Sequence, residues 1–441
     1  MTTIRLAEDG DRPKWDAFVK AHEEFGPFVC YAWKQAVEKA YHHRTYYLMC
    51  EDDGGTVQGV LPLIFVKPPL FRGTLVSLPF CDYGGVLTNG ADSTSMLIDH
   101  ALVLASSIKA RLEVRCQQPQ PGLASRSLGV ISHKVRMLLD LPENSDILWN
   151  GFKSKLRSQI KRPQKDGLIF NIGGPDLCDD FYQVFRVNMR DLGSPVHSRA
   201  WISAISDCFG NHARIGVVYD DQKPVAAGII LTCQDTVTIP WASALNEYNR
   251  SSPNMLLYWG FLQYACDNGF KRFDFGRSSP GEGTFKFKEQ WGSVPVPLYW
   301  YGEGFSDEEI PALTQGRLRE KIAETWSRLP QGVVDKAGPI IRRYITPAGK
   351  TLGPGAADQV AQRSAHKGRK DRGNPLPGTG RLVLHGDRSE PRFPDACFKA
   401  AAQGGISHGR DRQGRRAFCC AFRASSCAEG GTVCPGLAGT D

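Results

Sequence analysis

The chain lacks any run of 18 apolar residues. Its most apolar window, Gly59 to Phe71, is broken by Lys67 and three prolines, so no membrane-spanning helix is expected. The opening MTTIRLAEDGD has neither a basic stretch nor an apolar core, so export is not expected, and the expectation is a cytoplasmic protein, free or peripheral to the inner membrane. The 13 cysteines are an odd number without a single CxxC pair, so they read as reduced thiols rather than as a disulfide framework. Cys419, Cys420, Cys427 and Cys434 lack the ligand spacing of a zinc site, and no metal is expected. Gly-x-Ser-x-Gly, HExxH, Walker and GxGxxG patterns are missing, which leaves a serine hydrolase, zincin, P-loop NTPase or Rossmann oxidoreductase without support.

Charge excess is also missing from most of the chain. Of the formal +8, residues 1 to 346 contribute 39 basic against 38 acidic side chains, and residues 347 to 441 contribute 15 against 8. Overall charge therefore gives no argument for stable DNA binding. The segment after Thr346 has 16 glycines and only 13 large apolar residues, too few for a core, and is expected to be a disordered, basic Gly/Arg-rich tail. Its composition resembles an out-of-frame or read-through translation.

What is present is an α/β pattern that occurs twice. A shift of 168 positions superposes Pro27 on Pro195, Ala32 on Ala200, Trp33 on Trp201, Ala36 on Ala204, Asp52 on Asp220, Asp53 on Asp221 and Val57 on Val225. Each copy reads as a Trp-bearing helix, a strand, an acidic turn and a second strand, Gln58 to Phe65 and Ala226 to Cys233. Each continues into a helix and a strand: Ser95 to Ala110 and Leu112 to Cys116, then a helix from Pro253, with Ser252 as its cap and Gly269 as its stop, and Phe270 to Gly276. The expected organisation is a first mixed-sheet domain over 1–150, a basic connector over 151–165, a second domain over 166–303, helices over 304–346 and the tail. Ligands are expected in the cleft between the halves or where strands splay.

The densest group of reactive side chains is FDFGRSSPGEGTFKFKEQWG, Phe273 to Gly292. Here Asp274 faces away from Phe273 and Phe275, and a glycine-rich turn brings up Arg277, Ser278 and Glu282. The alternation Phe285, Lys286, Phe287, Lys288 reads as a strand with both lysines on one side. A second group is the turn LPFCDYGG with Asp82 and Tyr83. A third is the helix Asp180 to Leu192, with Tyr182, Arg186 and Arg190 at i, i+4 and i+8, followed by His197 in a turn. The connector carries Lys155, Arg157, Lys161 and Arg162, which read either as the solvated face of a helix or as a phosphate clamp at the cleft mouth.

The segment WASALNEYNRSSPNMLLYWGFLQYACDNGFKRFDFGRSSPGEGTFKFKEQWG resembles the C-terminal signature of FemAB-type proteins, which are two tandem GNAT-like N-acyltransferase halves. FVCYAWKQAVEKAY and LPFCDYGGVL are similar to that family's first half, particularly to members associated with exosortase and exopolysaccharide clusters. The resemblance spans about residues 5 to 345. It implies transfer of an activated acyl or aminoacyl group to an amine of a cell-envelope or exopolysaccharide precursor. The donor would be acyl-CoA or aminoacyl-tRNA, with no tightly bound cofactor, and the acceptor a sugar nucleotide or lipid-linked saccharide. It places Lys288 at the family's Phe-Lys lysine, Asp82 and Tyr83 in the acceptor turn, and Tyr182, Arg186 and Arg190 in the acceptor helix. Trp241, Asn254, His197, Ser278 and Lys286 join them as candidate substrate contacts. Two departures stand out: the coiled-coil arm of some tRNA-using members is missing, and the turn after Arg277 is one residue longer than the GNAT pyrophosphate loop. In the mechanism this implies, Lys288 stabilises an oxyanion or a donor phosphate, Arg277 and the connector hold phosphates, and Asp274 or Glu282 accepts the proton. A noncatalytic binding component and an acetyl-CoA-dependent N-acetyltransferase are the alternatives.

Overall fold

The computed structural model describes residues 2–22, 26–305 and 317–345. The chain divides by contacts into Met1–Gly373 and Asn374–Asp441, and every described residue belongs to the first unit. The expected disordered tail and its four clustered cysteines lie outside the described residues.

Among the described residues, fifteen strands form two sheets. Along the chain come β1 (Thr3–Leu6), β2 (Arg44–Glu51), β3 (Val57–Val66), β4 (Thr74–Val76), β5 (Leu87–Thr88), β6 (Arg111–Cys116), β7 (Gly129–Ile131) and β8 (Val135–Asp140). Then follow β9 (Ile169–Gly173), β10 (Ala213–Asp220), β11 (Lys223–Cys233), β12 (Thr236–Ala244), β13 (Arg272–Ser278), β14 (Val294–Pro297) and β15 (Tyr299–Gly302). The first sheet has the order β1-β2-β3-β4-β6-β15-β7, with β5 added to β3, and the second the order β14-β8-β13-β12-β11-β10-β9. Two strands are thus exchanged. β8, from before residue 150, sits between β13 and β14, and β15, from the end of the second repeat, sits between β6 and β7. Each sheet therefore draws a strand from the other side of the expected 150/166 division.

Within each sheet one pair is parallel, and the two occupy matching places after a crossover helix. β4 runs with β6 over Thr74↔Arg111 to Val76↔Glu113, and β12 with β13 over Thr236↔Arg272 to Thr238↔Asp274. The crossovers are α3 (Ala91–Ser107) and α9 (Pro253–Asp267), as parallel strands require. The remaining helices are α1 (Arg12–Lys20), α2 (Tyr31–Tyr41), α4 (Pro121–Ala124), α5 (Ser145–Gly151), α6 (Ser154–Lys165), α7 (Cys178–Asp191), α8 (Arg199–Phe209) and α10 (Gly283–Glu289), with Arg317–Ser327 and Gln331–Arg342 at the end.

Alternation along the strands sorts side chains into layers. Leu48, Cys50, Leu61 and Leu63 face α3 on the outside of the first sheet, and Tyr47, Met49, Val60 and Ile64 face inward. In the second sheet Ala226, Ile230, Phe273 and Phe275 pack outward on α5, α6 and α9, and Ala227, Ile229 and Leu231 point inward. The inner faces share one core, filled by α1, α2, α7 and α8. At its centre the two superposable tryptophans meet: Trp33 of α2 and Trp201 of α8 lie edge to face, with ring centroids 5.3 Å apart. The repeat seen in the sequence is thus a packing seam between the two halves.

Two local expectations are corrected. Phe285 to Lys288 is not a strand but part of the helix α10, because Glu282 supplies an extended N-cap and a helical turn buries Thr284 and Lys288 together while leaving Lys286 exposed. Ser252 stands at the N-cap of α9 but in the left-handed region, φ 54°, and its side chain makes no capping bond. The connector helix α6 runs through Pro163 to Lys165.

Candidate active site

The end of the second parallel pair is where the halves meet chemically. Asp274 is fully buried on the inner face, and its Oδ2 accepts from Arg136 Nη2 at 2.8 Å and Nε at 3.1 Å. Arg136 comes from the exchanged strand β8, lies over the Tyr83 ring at 4.5 Å and also donates to Gln117. Burial opposes its charge, yet Asp274 more than compensates, so its pKa is raised. Asp274 Oδ1 accepts from the Gly276 amide at 2.8 Å. That turn requires glycine, since Gly276 has φ 73°.

One residue further, the first half closes over the strand end. The Arg277 amide donates to Asp82 Oδ2 at 3.0 Å, and its guanidinium approaches Asp82 Oδ1 at 3.6 Å. Trp300 on β15 donates from Nε1 to the Asp82 carbonyl at 2.9 Å, with Arg277 4.9 Å and Arg115 4.8 Å from its ring centroid. Arg115 pairs with Glu113 at 2.6 Å and donates to the carbonyls of Leu78 and Cys81. The loop so held is strained: Leu78 and Phe80 adopt φ 63° and 71° without being glycine. Tyr83 is buried against Phe28, and that burial pushes its phenol well above the usual range.

Lys288 reaches back from α10, its Nζ donating to the carbonyls of Arg277 at 2.7 Å and Gly276 at 3.2 Å. Glu282 is half-buried at the head of α10, and its carboxylate makes no capping bond. Ser278 is fully buried, and its Oγ finds no hydrogen-bond partner among the described residues; the same holds for Asn254 Oδ1 in the first turn of α9.

The structure brings Asp82, Tyr83, Asp274, Arg277, Ser278 and Lys288 together, with Glu282 in the turn that follows, and places Tyr182, Arg186, Arg190, His197, Trp241 and the connector cations elsewhere. Tyr182 donates to the His197 carbonyl at 3.2 Å, Arg186 pairs with Asp335 of the helix Gln331–Arg342, and Arg190 pairs with its neighbour Asp191 at 2.7 Å. Trp241 stacks parallel to Trp33, with ring centroids 6.3 Å apart, on the inner face. Lys155, Arg157, Lys161 and Arg162 project from α6, which packs through Leu156, Ile160 and Pro163 on the outer layer, across the second sheet from Trp241. Lys161 lies over Trp149, 5.5 Å from its ring centroid.

His197 is buried beside the aromatic seam. Arg342 Nε donates to its Nε2 at 2.9 Å, and its Nδ1 lies 2.7 Å from the Tyr41 hydroxyl. Burial first, and then the Arg342 charge, hold its pKa far below the ordinary value. Sequence reasoning missed Arg136, Arg115, Tyr41, Trp300 and Arg342. The one available signal was LEVRC, a strand with two charges on a single face, Glu113 and Arg115. Among the described residues no group of three or more His, Cys, Asp or Glu could hold a metal, and no helix is long and apolar enough to cross a membrane.

Residues 150–289, less than half of the chain, match the acetyltransferase (GNAT) domain family. Among solved structures, that of FemX is similar at 14% identity and TM-score 0.53, covering 71% of this chain and all of the other, a likeness of fold. Also similar in outline are a C-terminal domain of a putative lysylphosphatidylglycerol synthetase from Agrobacterium fabrum and a tandem GNAT protein from the clavulanic acid biosynthesis pathway. The first is 14% identical with TM-score 0.48, covering 69% of this chain and 96% of the other; the second is 13% identical with TM-score 0.46, covering 70% and 100%. No curated protein matches the chain.

Proposed function

We propose that the chain transfers an activated acyl or aminoacyl group to an amine of a cell-envelope or exopolysaccharide precursor. The observation that carries this reading is the joint at Asp82 and Arg277, where a strained loop of the first half meets the end of the parallel pair inside the segment that matches the acetyltransferase family. In such a reaction the amine nitrogen forms a bond to the carbonyl carbon, the ester C–O or thioester C–S bond breaks, and the ammonium proton passes to a base. The requirements are orientation, positive charge for the oxyanion and phosphates, and a proton acceptor.

Glu282 suits the last role better than Asp274. Asp274 is already engaged by Arg136 and the Gly276 amide, whereas Glu282 makes no capping bond at the head of its helix. Arg277 is the cation for donor phosphate. Lys288 fixes the strand end that presents Arg277, and its ammonium is the buried charge beside which an oxyanion would develop. The acceptor, a sugar nucleotide or a lipid-linked saccharide, would enter along the Asp82 and Tyr83 loop.

A noncatalytic binding role is the second reading, favoured by the internal engagement of both Asp274 and Lys288. Binding of acyl-CoA and of aminoacyl-tRNA to the full chain, measured by calorimetry, separates the two: a binding component takes neither donor. The donor that binds also distinguishes acyl-CoA-dependent from aminoacyl transfer. With that donor, Lys288→Ala and Glu282→Gln should each lower turnover at least tenfold while remaining folded by circular dichroism. Wild-type turnover in either variant removes that residue from the mechanism.

A further inference from the structure

Arg342 is the exception among the buried arginines. Arg115 and Arg136 each face a carboxylate within 2.8 Å, Glu113 and Asp274 respectively. Arg342, only 8% exposed in the last turn of the helix Gln331–Arg342, has no carboxylate partner among the described residues. Its single hydrogen bond among the described residues is from Nε to His197 Nε2. Its terminal nitrogens donate to no described residue. The nearest carboxylate on its own helix, Asp335, is taken by Arg186 and Gln331.

A phenol stands on the other side of the same imidazole. Because His197 Nε2 accepts from Arg342, the neutral ring carries its proton on Nδ1 and donates it to the Tyr41 oxygen. The Ser198 amide donates to that oxygen as well, at 3.4 Å. The Ser198 side chain also engages the phenol. A guanidinium and a phenol, both buried, flank one neutral histidine. Arg277 and Arg115 are close enough that, after burial, their charges help bring the Arg342 pKa down to about 10. Such a concentration of buried positive charge without a counter-ion is costly unless an anion completes it.

We infer that Arg342 and Tyr41, held by His197, form a binding site for an oxyanion group, a phosphate or a carboxylate, inside the seam between the two halves. A guanidinium fork offers paired parallel donors suited to either group, and the Tyr41 hydroxyl adds a third. The site lies within reach of the Arg277 and Arg115 charges, and its guanidinium is supplied by a helix that lies outside the segment matching the acetyltransferase family. The inference does not depend on acyl transfer.

The test uses the full chain with inorganic phosphate and acetate as separate probes, each against sodium chloride at equal ionic strength, read by thermal unfolding and calorimetry. Wild type is expected to be stabilised by at least one of the two; the stronger response identifies the phosphoryl or the carboxylate source. Arg342→Gln should weaken that binding at least tenfold and should melt, without anion, no lower than wild type, since a buried uncompensated charge has gone. Arg342→Lys keeps a cation but loses the fork, so it should bind more tightly than the Gln variant and less tightly than wild type. No anion-specific stabilisation of wild type overturns the site, as does equal affinity in wild type and Arg342→Gln. An Arg342→Gln protein that fails to fold while Arg342→Lys folds and binds as wild type would assign Arg342 a structural role instead, and would also overturn it.

Discussion

The ends of the two parallel pairs form an internal control. Glu113 on β6 and Asp274 on β13 hold the same place, opposite the last paired residue of β4 and of β12, and each is buried against an arginine. In the first half the arginine is two residues along the same strand, and Arg115 is consumed by Glu113 and two loop carbonyls. In the second half the arginine is brought in by the exchanged strand β8, and the residue after the turn, Arg277, extends its side chain toward Asp82 and Trp300. One strand end has become scaffold for a loop. The other keeps a cation at the joint between the halves. The two positions are equivalent in place, and the residues on the exchanged strands, Trp300 beside Arg115 and Arg136 beside Arg277, make them different.

The largest expected effect tests how equivalent they are. Glu113→Ala and Asp274→Ala each leave a buried guanidinium unpaired and should cost about 3–5 kcal/mol in urea unfolding. If only one does, the correspondence is merely topological. Whatever fraction of Glu113→Ala folds should retain turnover, and Asp274→Ala should not. Next, Arg277→Ala should lower kcat/KM by roughly 10- to 100-fold, the scale of a lost hydrogen bond to a charged group. Stability should barely change, because Asp82 Oδ2 is held by the Arg277 backbone amide, which the substitution leaves in place. A variant that unfolds would make Arg277 the counterpart of Arg115 after all.

A smaller effect concerns acid stability. The folded pKa of His197 is depressed by burial and by Arg342, so its contribution is complete above the unfolded value near 6.5 and is lost as pH falls toward the folded value. Unfolding free energy should therefore decline below about pH 6.5 by up to roughly 1.4 kcal/mol per pH unit for this proton. His43, also depressed by burial, adds in the same direction. His197→Asn should flatten the slope, and an unchanged slope would leave His43 as its source. Smallest of all, neutralising Lys155, Arg157, Lys161 and Arg162 to Gln together should change donor affinity by less than threefold, since α6 lies on the outer layer. A tenfold loss would move the phosphate contact to that face.

Much of the architecture was legible because local rules decide it. The acidic hairpin turns and Pro253 and Gly269 at the ends of α9 depend on residues within a few positions of one another, and the Trp33/Trp201 repeat is visible because each copy carries the same local pattern. The Phe-Lys alternation misled because period 2 also fits a short helix when the burial partners are unknown, and only the packing of Lys288 onto the carbonyls of Gly276 and Arg277 shows which applies. Asp274, Arg277 and Asp82 could be singled out as chemistry on glycine-rich turns. Their partners could not, since Arg136 reaches Asp274 across 138 positions and Arg342 reaches His197 across 145.

The sequence by itself determined two α/β repeats, their turns and helix ends, and a body without net charge, because periodicity, backbone preference and charge are properties of neighbours along the chain. Tertiary structure alone decided which strands were exchanged, which buried arginine received a carboxylate and which did not. Those outcomes depend on long-range desolvation and pairing, and a guanidinium finds its partner, or is left without one, only when distant segments close around it.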